Sequence, residues 1–345
     1  MIELERHSFS GATIWKPNEI GGPLMIRKSI AKNRASKLRA QFLWLKERQH
    51  LTFIPKVFCE GLELDTYFYE MEDYSSYTPL PIYLQTCSIN EGKKILFKIS
   101  ELLSWQIHLS SNSFYTPWAW GEYIETKFFK KIAQAFKLSP LLSHQSWHKE
   151  IIMADKVFPS LNTLSRHLNS YTLWKKLAQL SPISFVHGDV SSDNILYHPE
   201  KGLEKGFIFL DPNNENMISS PLLDFAKLAQ SFHSDYELHT RNDLQGDLLS
   251  RSKFFNTELA RYLFFLSQCY WGEDSTSVLL FHEAICLARL LPYQAAKQSP
   301  STLYFYQRLI ELMSYALGLT PLKENYHFVT HRQNQQASLH SALSL

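Results

Sequence analysis

The sequence predicts an α+β protein with a small antiparallel-sheet lobe followed by a large, mostly helical lobe. Three observations support this fold class. Short apolar runs separated by turn residues fill residues 1–73, whereas helical spacing of apolar residues dominates residues 74–330. Inside the helical part, residues 183–211 contain a polar loop and the short apolar runs that flank it. The last residues, 331–345, are polar and form a predicted tail.

The composition bounds the class of protein. Of the 345 residues, 45% are hydrophobic and 14% aromatic, which is enough for a large core and excludes a disordered chain. The formal net charge of +2 gives no basic footprint for nucleic acid. The first residues lack the form of a signal peptide, no segment suits a membrane span, and the four cysteines show no paired spacing. We therefore expect a cytoplasmic protein with buried thiols and without nucleic-acid or membrane partners, and its oligomeric state is left open.

The first lobe begins with predicted strands at residues 2–6, 13–16 and 24–30. The turn after the first strand contains Ser10 and Gly11, small residues that let backbone N–H groups approach an anion. One glycine is a weak signal, and an ordinary hairpin turn is the alternative.

Two successive cations, Arg27 and Lys28, lie in the third predicted strand. Side chains alternate between the two faces of a strand, so only one of this pair can point into a site, while the other is a solvated charge.

A helix is predicted over residues 32–48 from the spacing of Leu38, Phe42 and Leu45. Gln41 lies on the same face as these apolar residues, and Glu47 lies on roughly the opposite face. The polar residue that this helix turns inward is therefore an amide and not a carboxylate. Strands at residues 54–58 and 67–72 complete the predicted sheet.

The second lobe begins with a capping box, in which Ser88 precedes Glu91 by three residues at the start of an apolar helical stripe. Further helices are predicted over residues 121–137, 147–157, 160–179, 253–270, 276–295 and 301–318.

The polar loop carries the chemistry of the chain. His187, Asp189 and Asn194 lie between two short apolar runs, and Asp211 ends a third. One carboxylate can accept the proton of an attacking hydroxyl, while an amide oxygen and a second carboxylate suit Mg²⁺, which prefers oxygen ligands. The spacing His-x-Asp-x-x-x-x-Asn matches the catalytic loop of protein kinases, with Gly188 in place of arginine. A surface turn that carries Asp and Asn by chance is the alternative.

Three motifs occur in order: His-Gly-Asp-x-x-x-x-Asn-Ile-Leu from His187, Leu-Asp-Pro around Asp211, and Asp-Phe-Ala-Lys-Leu from Asp224. Together they resemble the aminoglycoside phosphotransferase and choline kinase superfamily, and most closely its bacterial members of unassigned acceptor. The resemblance implies a two-lobed protein-kinase-like fold, in which residues 1–73 bind the nucleotide and residues 74–330 carry the catalytic loop and the acceptor site.

The same resemblance implies ATP as a cofactor and assigns residues to it. Lys28 is the phosphate-anchoring lysine, which selects it over Arg27. Ser10 and Gly11 belong to the loop over the phosphates, and backbone groups of Glu70 and Glu72 hydrogen-bond adenine.

The remaining assignments concern catalysis and metal binding. The resemblance implies that Asp189 is the catalytic residue and that Asn194 and Asp211 bind Mg²⁺, as their chemistry suggests. Three further residues are assigned supporting roles around this centre, namely His187, Asp224 and Gln41.

These observations predict an ATP-dependent phosphotransferase that moves the γ-phosphate to a hydroxyl of a small molecule, such as a sugar, an aminosugar or an amino alcohol. Two alternatives remain. The inward amide Gln41 suggests a catalytically silent nucleotide-binding module. A protein kinase is the other alternative, but the segment between Asp211 and the helix near Leu222 is too short for a switching activation segment.

Overall fold

The computed structural model describes residues 2–4, 12–16, 25–143, 147–153, 155–240 and 246–321. The predicted tail, residues 331–345, lies outside them. The chain divides into two compact units. The sheet unit comprises Met1–Thr86 and His187–Asn216, and the helical unit comprises Cys87–Val186 and Met217–Leu345. The lobe boundary at residue 73 stays a prediction.

The strands are β1 (Ile2–Leu4), β2 (Thr13–Lys16), β3 (Met25–Ala31), β4 (Val57–Glu63), β5 (Thr66–Glu72), β6 (Thr78–Pro79), β7 (Ser110–Phe114), β8 (Ile151–Met153), β9 (Lys156–Phe158), β10 (Pro182–Ser184), β11 (Ile195–Tyr197) and β12 (Phe207–Phe209). The α-helices are α1 (Ala35–Arg48), α2 (Leu80–Leu84), α3 (Ile89–Leu102), α4 (Pro117–Ile124), α5 (Lys130–Leu138), α6 (Pro140–Ser143), α7 (Leu161–Leu168), α8 (Tyr171–Leu180), α9 (Gly202–Lys205), α10 (Pro221–Phe232), α11 (Tyr236–Thr240), α12 (Gly246–Trp271), α13 (Ser275–Ala296) and α14 (Ser301–Ala316).

The sheet unit is built on an antiparallel sheet with the strand order β1-β2-β3-β5-β4. Lys28 of β3 pairs with Ile14 of β2 and Tyr69 of β5, which fixes the register at the centre of the sheet. The predicted helix is present as α1, and its buried residues include Leu38, Gln41 and Phe42. The inward position of Gln41 is therefore confirmed.

A second antiparallel sheet in the same unit has the order β12-β11-β6. Its strands β11 and β12 are buried throughout and hold the polar loop of the sequence at their ends. The amide of Phe209 donates a hydrogen bond to the carbonyl oxygen of Phe53 at 2.8 Å, and their rings pack with centroids 5.1 Å apart. This second sheet is thereby fixed to the segment between α1 and β4.

The helical unit is organised around α10, whose residues are all buried, and around the largely buried α13. Helix α13 packs against α14, α10 and α5. The predicted capping box is present at α3, where the amide of Glu91 donates to the hydroxyl of Ser88 at 3.2 Å. The three late helices predicted from residue 253 onward are α12, α13 and α14, although α12 begins earlier, at Gly246.

Two of the predicted helices need correction. Residues 147–157 do not form a helix, because β8 and β9 pair there as a hairpin with Asp155 in the left-handed region at φ 61°. The cross-strand pair Ile151 and Phe158 is buried while the next pair, Ile152 and Val157, is exposed, as expected when successive strand residues face opposite sides. Residues 160–179 form two helices, α7 and α8, rather than one.

Within the described residues, no helix is both long and apolar enough to cross a membrane. The expectation of buried thiols holds for Cys87 and Cys286, but Cys59 is exposed and Cys269 is partly exposed.

Candidate active site

Lys28 reaches the carboxylate at the end of β12. Its ammonium nitrogen Nζ lies 2.6 Å from Oδ1 of Asp211. The Lys28 side chain is only 2% exposed, whereas that of Asp211 is 29% exposed. The structure therefore brings together two predicted site residues that are far apart in the sequence. The role of Lys28 toward a nucleotide stays a prediction.

Arg27 points to the opposite face of the same strand, as strand alternation requires. Its guanidinium forms ion pairs with Glu63 at 2.8 Å and with Glu70 at 2.7 Å, and it lies 3.8 Å from the centroid of the Phe68 ring. Burial alone would raise the pKa of Glu70, but its hydrogen bonds from Arg27 and Cys59 lower that pKa overall. This face of the sheet carries an ion-pair network and not the Lys28–Asp211 centre.

Gln41 is the second partner of Lys28. Nζ of Lys28 donates to the side-chain oxygen Oε1 of Gln41 at 3.3 Å, and Gln41 is 4% exposed. Among the described residues, Lys28 thus contacts one carboxylate and one amide, where the general kinase pattern has a glutamate on this helix. The partner that α1 supplies to Lys28 is therefore an uncharged side chain.

Asp211 owes its position to the β11–β12 pairing. The amide of Leu210 donates to the carbonyl oxygen of Asn194 at 2.7 Å, which places the two predicted metal ligands at the same end of the sheet. Asp211 itself has φ 58°, in the left-handed region that a non-glycine residue enters only when its surroundings compensate. The chain therefore turns sharply at Asp211, two residues after the end of β12.

The loop before β11 is held by its own hydrogen bonds. The side-chain amide Nδ2 of Asn194 donates to the carbonyl oxygen of Asp189 at 2.7 Å. The backbone amide of Asn194 donates to Ser191 O at 3.0 Å, within a 3₁₀ turn at Ser192–Asn194. The first bond uses the nitrogen of the Asn194 side-chain amide and leaves its oxygen as the group that can act as a ligand.

Gly188 is required where it stands. Its φ is +78°, and an added Cβ would lie 2.1 Å from Asn213 O and 2.3 Å from Nδ2 of Asn216. The amide of Asn213 donates to His187 O at 2.7 Å, and Asn216 Nδ2 donates to Gly188 O at 3.4 Å and to Asn213 O at 2.6 Å. The segment after Asp211 thus packs on the loop so closely that only glycine fits at residue 188.

His187 is completely buried in the sheet unit. Its ring packs edge-on against Trp44 and Phe209, with centroids 5.5 Å and 6.1 Å away. This packing anchors the start of the loop between α1 and β12, which suits the supporting role expected for His187.

Asp224 lies in the first turn of α10, in the helical unit. Its Oδ2 is 2.9 Å from Nε2 of His108, and both side chains are almost fully buried. The role expected for Asp224 in supporting the catalytic loop stays a prediction.

The residues expected to contact the nucleotide are only partly described. Ser10 and Gly11 lie outside the described residues. Glu70 lies in the interior strand β5 opposite Arg27, and the amide of Glu72 donates to Lys56 O at 2.9 Å. The N–H of Glu72 is thus already used by the sheet, and binding of adenine by either glutamate stays a prediction.

The predicted metal ligands offer a set of donors that fits Mg²⁺. Asp211 supplies a carboxylate that is partly exposed, and Asn194 supplies an amide oxygen whose partner nitrogen is already engaged. Both are oxygen ligands of the kind that this cation prefers.

Two features of the site escaped prediction. Tyr69, opposite Lys28 on β5, is fully buried beside the Lys28–Asp211 centre. Residues 67, 69 and 71 are all apolar or aromatic and buried, so the period-two pattern of β5 identifies the face on which Tyr69 lies. The pattern does not identify the residues that surround Tyr69. At Asn213 and Asn216, the sequence composition indicated only a turn and not the hydrogen bonds that these residues form.

Comparisons with known proteins identify the fold. A solved structure described as a "putative fructosamine-3-kinase" from Haemophilus somnus 129PT matches with a TM-score of 0.50 and 12% identity, over 90% of this chain and 90% of that chain. An aminoglycoside-3'-phosphotransferase of type VIII matches with a TM-score of 0.35 and 13% identity, over 90% of this chain and 92% of that chain. No family model and no curated protein matches the sequence. The first likeness, together with an antiparallel-sheet unit and a mostly helical unit, confirms the predicted protein-kinase-like α+β fold.

Proposed function

We propose that the protein is an ATP-dependent phosphotransferase that moves the γ-phosphate to a hydroxyl of a small molecule. The observation that carries this proposal is the 2.6 Å contact between Lys28 Nζ and Asp211 Oδ1, at the end of a hairpin that also holds Asn194. A buried lysine beside a carboxylate and an amide is an arrangement suited to binding phosphate and metal together.

Each residue has a distinct role in this proposal. Lys28 binds phosphate oxygens of ATP, and Asp211 and Asn194 hold Mg²⁺. When bound, Mg²⁺ would neutralise the negative charge of the phosphates. Asp189 orients the acceptor hydroxyl and accepts its proton. The acceptor oxygen forms a bond to the γ-phosphorus while the bond between that phosphorus and the bridging oxygen breaks, and ADP leaves.

The resemblance of the motifs supports a small-molecule acceptor. The matching structure from Haemophilus somnus bears the name of a kinase for a small sugar derivative. We propose a sugar, an aminosugar or an amino alcohol as the acceptor here, and membership of the aminoglycoside phosphotransferase and choline kinase superfamily. The proposal includes action in the cytoplasm without nucleic-acid or membrane partners.

A protein kinase is less well supported. The segment that follows Asp211 is bonded to the catalytic loop through Asn213 and Asn216, and α10 begins soon after, at Pro221. A switching activation segment needs a longer and separable stretch of chain. The amide at Gln41 favours a second candidate, a nucleotide-binding module without catalysis, because no carboxylate of α1 pairs with Lys28 among the described residues.

Consumption of ATP separates these functions. The purified protein is incubated with Mg-ATP and a library of hydroxyl-bearing metabolites, and ADP formation is measured for each. We expect ADP formation that depends on one class of acceptor and is lost in Asp189→Asn. Phosphate incorporated into protein substrates would instead indicate a protein kinase. Binding of Mg-ATP without turnover on any acceptor would favour the silent module.

A further inference from the structure

Lys28 forms one ion pair among the described residues, with Asp211. Its ammonium contacts the Asp211 carboxylate at 2.6 Å and the Gln41 amide oxygen at 3.3 Å. A buried ammonium needs a counterion, since an unpaired charge in a protein interior is costly. Asp211 is therefore the counterion of Lys28 whenever no ligand is bound.

Tyr69 adds no second charge to this centre. It stands opposite Lys28 in the β3–β5 ladder, it is completely buried, and its hydroxyl has no hydrogen-bond partner within the described part of the chain. Burial raises the pKa of Tyr69 well above its ordinary value, and the negative charge of Asp211 raises it further. Gln41 and Tyr69 are thus two uncharged neighbours of Lys28.

This arrangement gives Asp211 two roles that compete with each other. The carboxylate neutralises Lys28, and under the proposed function it also binds a divalent cation. If Asp211 turned to a cation alone, Lys28 would keep only the Gln41 amide. If Lys28 turned to a phosphate alone, Asp211 would lose its ammonium partner, although its 29% exposure lets water solvate the freed carboxylate.

We propose that Gln41 makes the divalent cation and the nucleotide bind together, because its uncharged side chain leaves Lys28 dependent on Asp211. A phosphate that binds Lys28 frees Asp211 to bind a cation. A cation that binds Asp211 frees Lys28 to bind a phosphate. Each ligand therefore strengthens the binding of the other, and each binds weakly alone. This inference rests on the proposed function and names Gln41 as the positioning residue that sets the coupling.

The test measures cation binding without nucleotide. Mn²⁺ is titrated into the full-length protein, with and without ADP, by isothermal titration calorimetry and by electron paramagnetic resonance of free Mn²⁺. Gln41→Glu offers Lys28 a second carboxylate and frees Asp211. We expect this variant to bind Mn²⁺ alone at least about fivefold more tightly than the wild type, and to show a smaller effect of ADP on Mn²⁺ affinity.

Gln41→Ala is the matched control, because it removes the 3.3 Å hydrogen bond without adding charge. We expect it to bind Mn²⁺ alone no more tightly than the wild type, because Lys28 gains no second carboxylate. A merely structural role for Gln41 would instead make both variants bind less well, and that result would overturn the proposal.

Lys28→Met provides a second route should Gln41→Glu fail to fold. With its ammonium partner removed, Asp211 should also bind Mn²⁺ alone more tightly than in the wild type. Equal Mn²⁺ affinities in the wild type and in the folded variants, with binding of Mn²⁺ and ADP retained, would overturn the coupling but leave the proposed function intact. A wild type that binds no Mn²⁺ even with ADP would overturn both.

Discussion

The two units of the molecule bury charged side chains in different ways. In the helical unit, the completely buried carboxylate of Glu283 has both oxygens engaged, one 2.7 Å from Nδ1 of His233 and the other accepting from the hydroxyl of Ser234. In the sheet unit, buried Lys28 depends on the partly exposed Asp211 and on an amide. The first arrangement is complete in itself, whereas the second keeps one partner within reach of ligands.

This difference separates structural from functional burial of charge. Removing one member of a closed buried pair leaves an uncompensated group and costs about 3–5 kcal/mol of stability. The closed pairs of the helical unit, which include His108 with Asp224, are expected to behave in this way. An open pair such as Lys28 with Asp211 can exchange partners, so its variants should change ligand binding more than folding.

The largest effect is expected at the carboxylates of the sheet unit, and it tests whether the two have different roles. Asp211→Ala should abolish both metal-dependent nucleotide binding and phosphate transfer, because it removes the proposed metal ligand and the partner of Lys28. Asp189→Ala should bind Mg-ATP almost normally but lose transfer by about 10²–10⁴-fold, the usual contribution of a general base. Calorimetric titration of Mg-ATP, with turnover measured alongside, checks both.

Asn194→Ala is the intermediate variant, and we expect weaker dependence on metal without loss of binding. Equal loss of Mg-ATP binding in the Asp189 and Asp211 variants would show that the roles are assigned wrongly. Full activity in Asp189→Ala would remove the kinase mechanism.

A smaller effect should distinguish the two faces of β3. Lys28→Ala removes charge-assisted contacts to phosphate, worth about 1.5–3 kcal/mol, and should lower kcat/KM for ATP by about 10–100-fold. Arg27→Ala is the matched control on the same strand, and its partly exposed ion pairs should cost at most about 1 kcal/mol of stability with little change in kcat/KM. Steady-state kinetics and urea unfolding measure both quantities. Damage confined to Arg27→Ala would place the nucleotide on the other face of the sheet.

Much of the sheet unit was predictable because its signals are local. Strand alternation separated Arg27 from Lys28, and helical spacing turned Gln41 inward while leaving Glu47 outside. The motif around Asp189 then indicated which strand ends carry the chemistry. For the strand and the helix, the sequence pattern has the same period as the backbone conformation that it predicts.

The features that the sequence did not reveal depend on tertiary contacts. The fit of Gly188 against Asn213 depends on a turn that closes from residues more than twenty positions away. The strands β8 and β9 are so short that their residue pattern cannot be told from part of a helix. The turn at Asp155, which separates them, is known only from the structure. Neighbours such as Tyr69 and Asp211 come from different strands, and no local period records their proximity.

The smallest expected effect comes from Asp235, a largely buried carboxylate of the helical unit whose partner is an amide. Asp235 accepts a hydrogen bond from the amide of Asn256 at 2.8 Å, and burial raises its pKa from 3.8 to about 6. A carboxyl group whose pKa is raised by folding stabilises the protein while it is protonated. As the pH rises from about 4 to about 6, the unfolded chain loses this proton first, so the free energy of unfolding should fall over that range and then level off.

Asp235→Asn should remove this fall, because its side chain cannot ionise, and asparagine also tolerates the φ of 49° at this position. Since Asp235 is still partly in contact with water, we expect the variant to gain about 1–2 kcal/mol relative to the wild type between pH 4 and pH 7. Urea unfolding at both pH values measures the difference. Asp155→Asn is the matched control, because Asp155 also has a positive φ, 61°, but is exposed, and it should follow the wild-type profile. Parallel profiles for the wild type and Asp235→Asn would mean that folding does not raise the pKa of Asp235.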